Sequence, residues 1–177
     1  GLFHLAGANG RTAPLVTTIG SHVYVSTENI LPDKPGVASF GTTDFSERVT
    51  YFQAEDVLVS NIRPYFKKMW FATTSGGCNA DVLCFRALDK KYAYLLKSIM
   101  FQDGFFDYVM SGAKGTKMPR GDKTHIMQYQ VPCFSESQLH KFNSLASTIE
   151  RNQAQNHREI SALENAKEML RATLAAK

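Results

Sequence analysis

The chain has 177 residues, of which 44% are hydrophobic and 20% are charged, and its formal net charge is +4. This composition is typical of one folded domain with an appendage, and it excludes a disordered chain. No apolar stretch approaches the length of a membrane span, and the first ten residues lack the pattern of a signal peptide. The three scattered cysteines match neither a disulfide framework nor a CxxC pair, so we expect a reducing, cytoplasmic location.

Residues 1–134 predict a mixed, β-rich α+β domain. Runs typical of strands occur at 21–30, 56–66, 67–74 and 81–88. Gly76 and Gly77 link the last two runs, which predicts an antiparallel hairpin because the link is too short for a crossover. Residues 91–110 have apolar side chains at helical spacing, and Gly104 is expected to separate two short helices there.

Residues 135–177 predict one long helix. Ser135 and Gln138 have the spacing of a capping box, and no glycine or proline follows before Ala176. The helix would have about 40 residues and a length of about 60 Å.

The predicted helix carries a heptad seam, since its pattern steps by four and three residues. The seam consists of Phe142, Ala146, Ile149, Gln153, Asn156, Ile160, Leu163, Lys167, Leu170 and Leu174. A helix of this length cannot be covered by a domain of about 134 residues, so we expect the seam to pair with another helix as a coiled coil or bundle. The alternative is a hairpin folded back on the domain's own core. Polar residues inside such a seam usually fix register and partner number, and Gln153 and Asn156 are the candidates.

The sequence matches no enzyme motif, because the spacing or the structural context of the candidate residues is wrong. The glycines of "GAKGTKMPRGDK" (112–123) are one residue too far apart for a P-loop, and Asp122 stands where its lysine should be. The acids of "PDK" (32–34) and "DKK" (89–91) are in turn-like contexts, which leaves a metal-dependent nuclease as a less favoured alternative. The histidines have no spacing that would complete a zinc site with Cys78 and Cys84, so we expect buried structural thiols.

Two basic segments carry the chemistry of nucleic-acid binding. The first basic segment, "SNIRPYFKK" (60–68), contains Asn61, Arg63, Lys67 and Lys68 and no acid. Arginine and asparagine pair bidentately with guanine and adenine edges, while lysines supply phosphate contacts.

The second basic segment, residues 112–123, has Lys114, Lys117, Arg120 and Lys123 at every third position. That period would place its cations on one side of an extended strand with three residues per turn, and its glycine-rich backbone could also grip phosphate. Two such segments favour a nucleic-acid binder. The alternative is a structural coiled-coil protein whose basic loops are incidental.

Four stretches together resemble a known family. These are "YVSTENILPDKPGV" (24–37), "DVLVSNIRPYFKKMWFA" (56–72), "GGCNADVLCFRA" (76–87) and "GAKGTKMPRGDK" (112–123). In order and spacing they are similar to the target recognition domain of type I restriction–modification specificity subunits, and the following helix is similar to the conserved helical region of those subunits. That family usually has glycine-aspartate before its central strand, where this chain has Glu55 and Asp56.

The resemblance implies a non-catalytic DNA-recognition protein. Specificity subunits have two recognition domains, each followed by a long helix; the helices pair antiparallel, and each domain reads one half of a split DNA target. They hold adenine-methylating modification subunits on DNA, and restriction subunits join for cleavage. The resemblance therefore implies no cofactor for this chain. This chain has one such domain and one helix, so it would be a fragment or a half-subunit, which would dimerise through its helix.

The basic segments and the heptad seam, together with the resemblance, predict residue roles. Asn61 and Arg63 are candidates for base or phosphate contact, and Lys67 and Lys68 for phosphate contact. A DNA-facing loop would comprise Lys114, Thr116, Lys117, Arg120 and Lys123. Helix pairing would use Phe142, Ile149, Gln153, Asn156, Ile160, Leu163, Leu170 and Leu174.

Overall fold

The computed structural model describes residues 3–5, 23–41 and 49–175, so residues 21 and 22 of one predicted run and Ala176 lie outside the described residues. The chain divides into two compact units, Gly1–Cys133 and Phe134–Lys177. The strands are β1 (Phe3–Leu5), β2 (Tyr24–Val25), β3 (Thr50–Phe52), β4 (Val57–Ser60), β5 (Met69–Phe71), β6 (Gly76–Cys78) and β7 (Val82–Ala87). The α-helices are α1 (Ala93–Met100), α2 (Asp103–Ser111), α3 (Lys123–Ile126) and α4 (Glu136–Ala175), and 3-10 helices occupy Pro64–Phe66 and Lys90–Tyr92. The predicted α+β class is confirmed.

Two sheets form the first unit. The larger sheet has the order β1-β7-β4-β5 and is antiparallel throughout, while the smaller has the order β2-β6-β3 with β2 parallel to β6. Side chains alternate between the two faces of β4, as the period of a strand requires. Val57 and Val59 pack with Phe105 and Phe106 of α2, whereas Leu58 packs with Phe52 of the smaller sheet. The larger sheet therefore lies between the helices and the smaller sheet, with a core on each face.

The predicted hairpin between residues 67–74 and 81–88 is wrong. Both runs form strands, but β5 and β7 pair with opposite edges of β4. Gly76 and Gly77 begin β6 in the other sheet, where a Cβ on Gly76 would lie 2.3 Å from the carbonyl oxygen of Val23. This glycine pair therefore permits a close approach between strands and does not make a turn.

The two short helices predicted in residues 91–110 are confirmed as α1 and α2, but the break is not at Gly104. The helices are separated at Phe101 and Gln102, and Gly104 lies in the first turn of α2. A Cβ on Gly104 would meet no heavy atom within 4 Å, so neither packing nor backbone conformation requires glycine there.

A buried carboxylate ties the strands of the larger sheet together. Asp56 is 1% exposed and accepts hydrogen bonds from Arg86 Nε at 2.8 Å and Arg86 Nη2 at 2.6 Å. It also accepts from the Gln53 backbone N–H and from the Cys84 thiol. The preceding residue, Glu55, has a φ of 73°, in the left-handed region that favours glycine. That conformation explains why a glycine-aspartate pair suits this position.

The second unit is the single helix α4, and its predicted start is confirmed. The Ser135 backbone N–H donates to Gln138 Oε1 at 2.9 Å, and the Gln138 N–H donates to Ser135 Oγ at 3.3 Å, which is a capping box. The helix has 40 residues. Within the described residues, no helix is both long enough and apolar enough to cross a membrane.

We expect one thiol per folded chain to react with an aromatic disulfide reagent at about pH 8. Cys133 is exposed, while Cys78 and Cys84 are buried, and burial raises the pKa of Cys78 to about 12 and also raises that of Cys84. All three thiols should react in denaturant, and Cys133→Ser should remove the native reaction. Rapid reaction of two thiols in the folded protein would contradict the buried positions.

Candidate nucleic-acid interface

The first basic segment leaves the buried strand β4 and turns sharply through a 3-10 helix. Arg63 before this helix and Lys67 after it both have left-handed backbones, with φ of 48° and 50°. The turn is closed by the Phe66 N–H donating to Arg63 O and the Lys67 N–H donating to Pro64 O. Left-handed conformations cost about 1–2 kcal/mol for residues other than glycine, so the rest of the fold must impose them.

The second basic segment reverses direction between α2 and α3. Lys114 and Arg120 exchange two backbone hydrogen bonds of 2.9 Å, and Gly115 in the turn between them has a φ of 94°. The expected extended strand with all cations on one side is therefore wrong. The backbone N–H groups of Lys114, Arg120 and Gly121 are bonded within the protein, which leaves them unable to grip a phosphate.

The two basic segments are joined side by side. The Arg63 N–H donates to Pro119 O at 2.8 Å, and the Gly121 N–H donates to Asn61 O at 3.2 Å. Gly121 permits this approach because a Cβ there would lie 2.8 Å from Asn61 Oδ1 and 2.9 Å from side-chain carbons beneath it. One continuous surface thus carries both clusters of cations.

The predicted DNA-binding cations divide into two groups by their contacts. Lys67 pairs with Asp103 at 3.1 Å, the Lys68 ammonium donates to Thr27 O at 2.7 Å, Lys114 pairs with Asp122, and Arg120 pairs with Asp81 at 3.3 Å. In contrast, Thr116, Lys117 and Lys123 are exposed, and within residues 3–5, 23–41 and 49–175 no side-chain hydrogen bond or ion pair engages them. These three side chains are free to meet a ligand without breaking a contact of the fold.

Asn61 is the most buried of the predicted DNA-binding residues, and part of the Arg63 side chain is buried near it. Asn61 is 7% exposed, and its Oδ1 atom is buried without a hydrogen-bond partner in the described part of the chain. The Nε atom of Arg63 is also buried without a partner there. Buried polar atoms are normally paired, so these two unpaired atoms make the junction of the segments an unusual part of the protein.

Two carboxylates organise the surrounding cations. The Lys34 and Lys67 ammonium groups lower the pKa of Asp103, with Lys34 contributing most. The Lys114 ammonium, followed by the backbone N–H of His125, lowers the pKa of Asp122. Both carboxyl groups are therefore ionised at neutral pH; Asp103 forms ion pairs with two basic side chains and Asp122 with one.

Lys34 is a supporting residue that the sequence reasoning missed. Its side chain is 12% exposed, pairs with Asp103 and lies 5.0 Å from the ring centroid of Phe101. The neighbouring Asp33 N–H donates to Phe66 O at 3.0 Å. The turn "PDKPG" thus braces the first basic segment. No local pattern reveals this, because Lys34 and Asp103 are 69 residues apart.

No metal site is evident in the described portion of the chain, where no three His, Cys, Asp or Glu side chains are grouped to hold an ion.

The fold matches that of specificity subunits. The chain is similar to the HsdS subunit from Thermoanaerobacter tengcongensis, with a TM-score of 0.58 and 15% identity over 88% of this chain and 43% of that one. It is equally similar to a chain from a structure of a type I R-M system, described for its complex assembly and conformational transition, with a TM-score of 0.58 and 16% identity over 87% of this chain and 42% of that one. The resemblance predicted from the sequence is therefore confirmed at the level of the fold.

The chain spans less than half the length of each of these two proteins. A scan against protein-family models and a search of curated proteins give no match.

We expect Gly121→Ala and Gly104→Ala to change stability in opposite directions. A Cβ on Gly121 overpacks the junction of the two basic segments and should cost about 1–3 kcal/mol. Alanine at Gly104 meets open space in a helix and should contribute up to about 1 kcal/mol. Urea denaturation of both variants measures the difference. A Gly121→Ala protein as stable as the original chain would show that the close approach is absent.

Proposed function

We propose that the chain recognises one half of a bipartite sequence in double-stranded DNA and acts as the specificity component of a type I restriction–modification complex. In this role it is non-catalytic and positions modification subunits, which methylate adenine, and restriction subunits on the DNA. Two observations support the proposal: the fold shared with HsdS subunits, and the junction that makes one surface of both basic segments.

Charge distribution supports a polyanionic ligand at this surface. The two basic segments contain seven basic residues and one acidic residue, so the remaining 13 basic and 15 acidic residues of the chain are slightly negative together. The whole positive balance of the protein therefore comes from these segments. Asp81 and Asp103 neutralise part of it, but Lys117 and Lys123 keep exposed charges that suit phosphate contacts.

The test is duplex binding at several salt concentrations, followed by selection from a random-sequence duplex library. A recognition protein should bind with an affinity that falls as salt rises and should enrich a short sequence. Failure of the purified chain to bind duplex in low salt, both alone and with a modification subunit, would refute the proposal. Cleavage of the duplex by the chain with magnesium or manganese would instead support the nuclease alternative.

We expect Lys117→Gln combined with Lys123→Gln to weaken non-specific duplex binding and to reduce the slope of log affinity against log salt by about 2. Each lost phosphate contact contributes about 0.9 to that slope. Neither lysine supports the fold, so the melting temperature should not change. The matched control is Lys90→Gln combined with Lys141→Gln, since both of these residues are exposed and lie outside the basic segments. Equal slopes for the two double variants would favour the structural coiled-coil alternative.

We also propose that α4 pairs with a second helix. Its apolar seam is open in the single chain: Ile149 and Ile160 are each 54% exposed, and Leu163, Leu170 and Leu174 are more exposed still. Gln153 and Asn156 interrupt the seam near the middle of the helix and are also exposed. The partner is either a second copy of this chain or an equivalent helix of a second half.

If the partner is a second copy of this chain, one antiparallel register matches the residues of the two seams best. Placing Gln153 against the partner's Asn156 pairs the two amides with each other across the axis. The same register places Ile149 against the partner's Ile160 and overlaps nearly the whole length of both helices. Polar side chains thus meet polar ones at Gln153 and Asn156, and apolar side chains meet at Ile149 and Ile160; the exception is Phe142, which faces the partner's Lys167.

Charges beside the seam favour the same register. Glu136 would face the partner's Arg171, and Glu150 would face the partner's His157, so no like charges oppose each other. A shift of one heptad brings Glu159 against its own copy. A shift of two heptads leaves only about two-thirds of the helix overlapped and sets the amide of Gln153 against an apolar side chain.

Cysteine cross-linking distinguishes these registers in a Cys133→Ser background. Ile149→Cys combined with Ile160→Cys should form a disulfide-linked dimer on oxidation, because the two positions meet between chains but are about 16 Å apart in one helix. The control, Ile149→Cys combined with Lys167→Cys, reports the register shifted by one heptad and should remain monomeric in denaturing gels. Cross-linking of the control alone would disprove the proposed register. Cross-linking of single Ile160→Cys would indicate parallel pairing.

A further inference from the structure

We propose that the exposed ring pair Tyr65–Phe66 contacts the bases of the DNA and contributes to sequence specificity, an inference that rests on the proposed function. Tyr65 is 46% exposed and Phe66 is 38% exposed, and their ring centroids are 4.7 Å apart. Adjacent large aromatic side chains on a surface commonly mark a binding site.

The ring pair is held by a strained turn. It lies between Arg63 and Lys67, the two residues with left-handed backbones. A conformation of this kind persists only where surrounding contacts impose it, and such strain concentrates at functional sites. The two rings are not buried in the core, and neither left-handed position is a glycine, which would have relaxed the turn.

Contacts from three directions impose the turn. The second basic segment accepts the Arg63 N–H at Pro119 O, the turn at Asp33 donates its N–H to Phe66 O, and Asp103 of α2 pairs with Lys67. The ring pair is therefore presented on a rigid support. A rigid ring loses little conformational entropy on binding, which favours a precise contact.

The division of contacts around the rings suggests which part of DNA they meet. Lys67 and Lys68, the predicted phosphate contacts of the first basic segment, are bound to Asp103 and to Thr27 O. Free ammonium groups are instead supplied by Lys117 and Lys123 of the second basic segment. Phosphate contact then falls to the second basic segment, while the uncharged rings of the first are suited to base edges or faces.

Bases offer two kinds of partner to an aromatic ring. One is the thymine methyl group in the major groove, and the other is the face of an unstacked base. A protein partner is the competing occupant of an exposed ring pair, but the surrounding segment has three cations and no acid, which favours DNA.

The experiment first selects a preferred duplex with the unmodified full chain. Affinity is then measured for that duplex and for a scrambled duplex of equal length. We expect Tyr65→Ala and Phe66→Ala each to weaken binding to the preferred duplex by about tenfold and binding to the scrambled duplex by less than twofold. The salt slope should not change, because no charge is lost.

Three controls keep the result specific. Leu88→Ala removes another exposed apolar side chain, 61% exposed and outside both basic segments, and should leave both affinities unchanged. Tyr65→Phe keeps the ring and should retain at least half of the preference. The melting temperature of each variant shows whether the fold is intact.

Two modified duplexes identify the contact. If a ring contacts a thymine methyl group, replacing that thymine by deoxyuridine should weaken binding of the original chain. The same replacement should have no effect on the variant, Tyr65→Ala or Phe66→Ala, that lacks the contacting ring. 2-Aminopurine, which replaces adenine and still pairs with thymine, should brighten on binding at an adenine of the preferred duplex if that base is unstacked.

Unchanged specificity in both ring variants, with folding intact, would overturn the inference while leaving the proposed function in place. Loss of binding to a modification subunit with DNA specificity unchanged would assign the rings to a protein contact and would also overturn it. Failure of the original chain to bind any duplex would refute the proposed function itself.

Discussion

The candidate surface depends on two backbone hydrogen bonds, from Arg63 to Pro119 and from Gly121 to Asn61. They join segments that are distant in sequence and that account for all of the excess positive charge of the chain. Backbone groups make this junction, so the exposed side chains on either side are free to vary while the frame is retained. That separation suits the proposed function, in which side chains on a constant frame determine the DNA sequence that is read.

Much of the charge near this surface supports the fold. Asp103 fixes Lys34 and Lys67, and Asp122 fixes Lys114 while it caps the start of α3 through the N–H of Thr124. These paired cations still contribute to the field that would attract a polyanion, but a new contact would first have to break an ion pair. The unpaired lysines and the exposed rings can form new contacts without that cost.

Local patterns in the sequence predict much of the fold. Strand periodicity located β4, β5 and β7, and the capping box located the start of α4. Contacts between distant residues were not predictable in the same way. From the sequence alone, Gly76 and Gly77 suggest a turn; the structure shows that glycine is needed there because the Val23 backbone comes close to Gly76. The cations of the second basic segment suggest an extended strand until the pairing of Lys114 with Arg120 is known.

For the candidate site, even fewer of the contacts between distant residues could be predicted from the sequence. Residue types identified both basic segments, but no pattern indicated that they touch, that Lys34 braces one of them, or that Asn61 is buried. Burial changes the role expected of Asn61. Its backbone carbonyl joins the two segments, while its side-chain amide is withdrawn from solvent. Side-chain chemistry therefore identifies a candidate surface, whereas contacts between distant residues decide which of its side chains can reach a ligand.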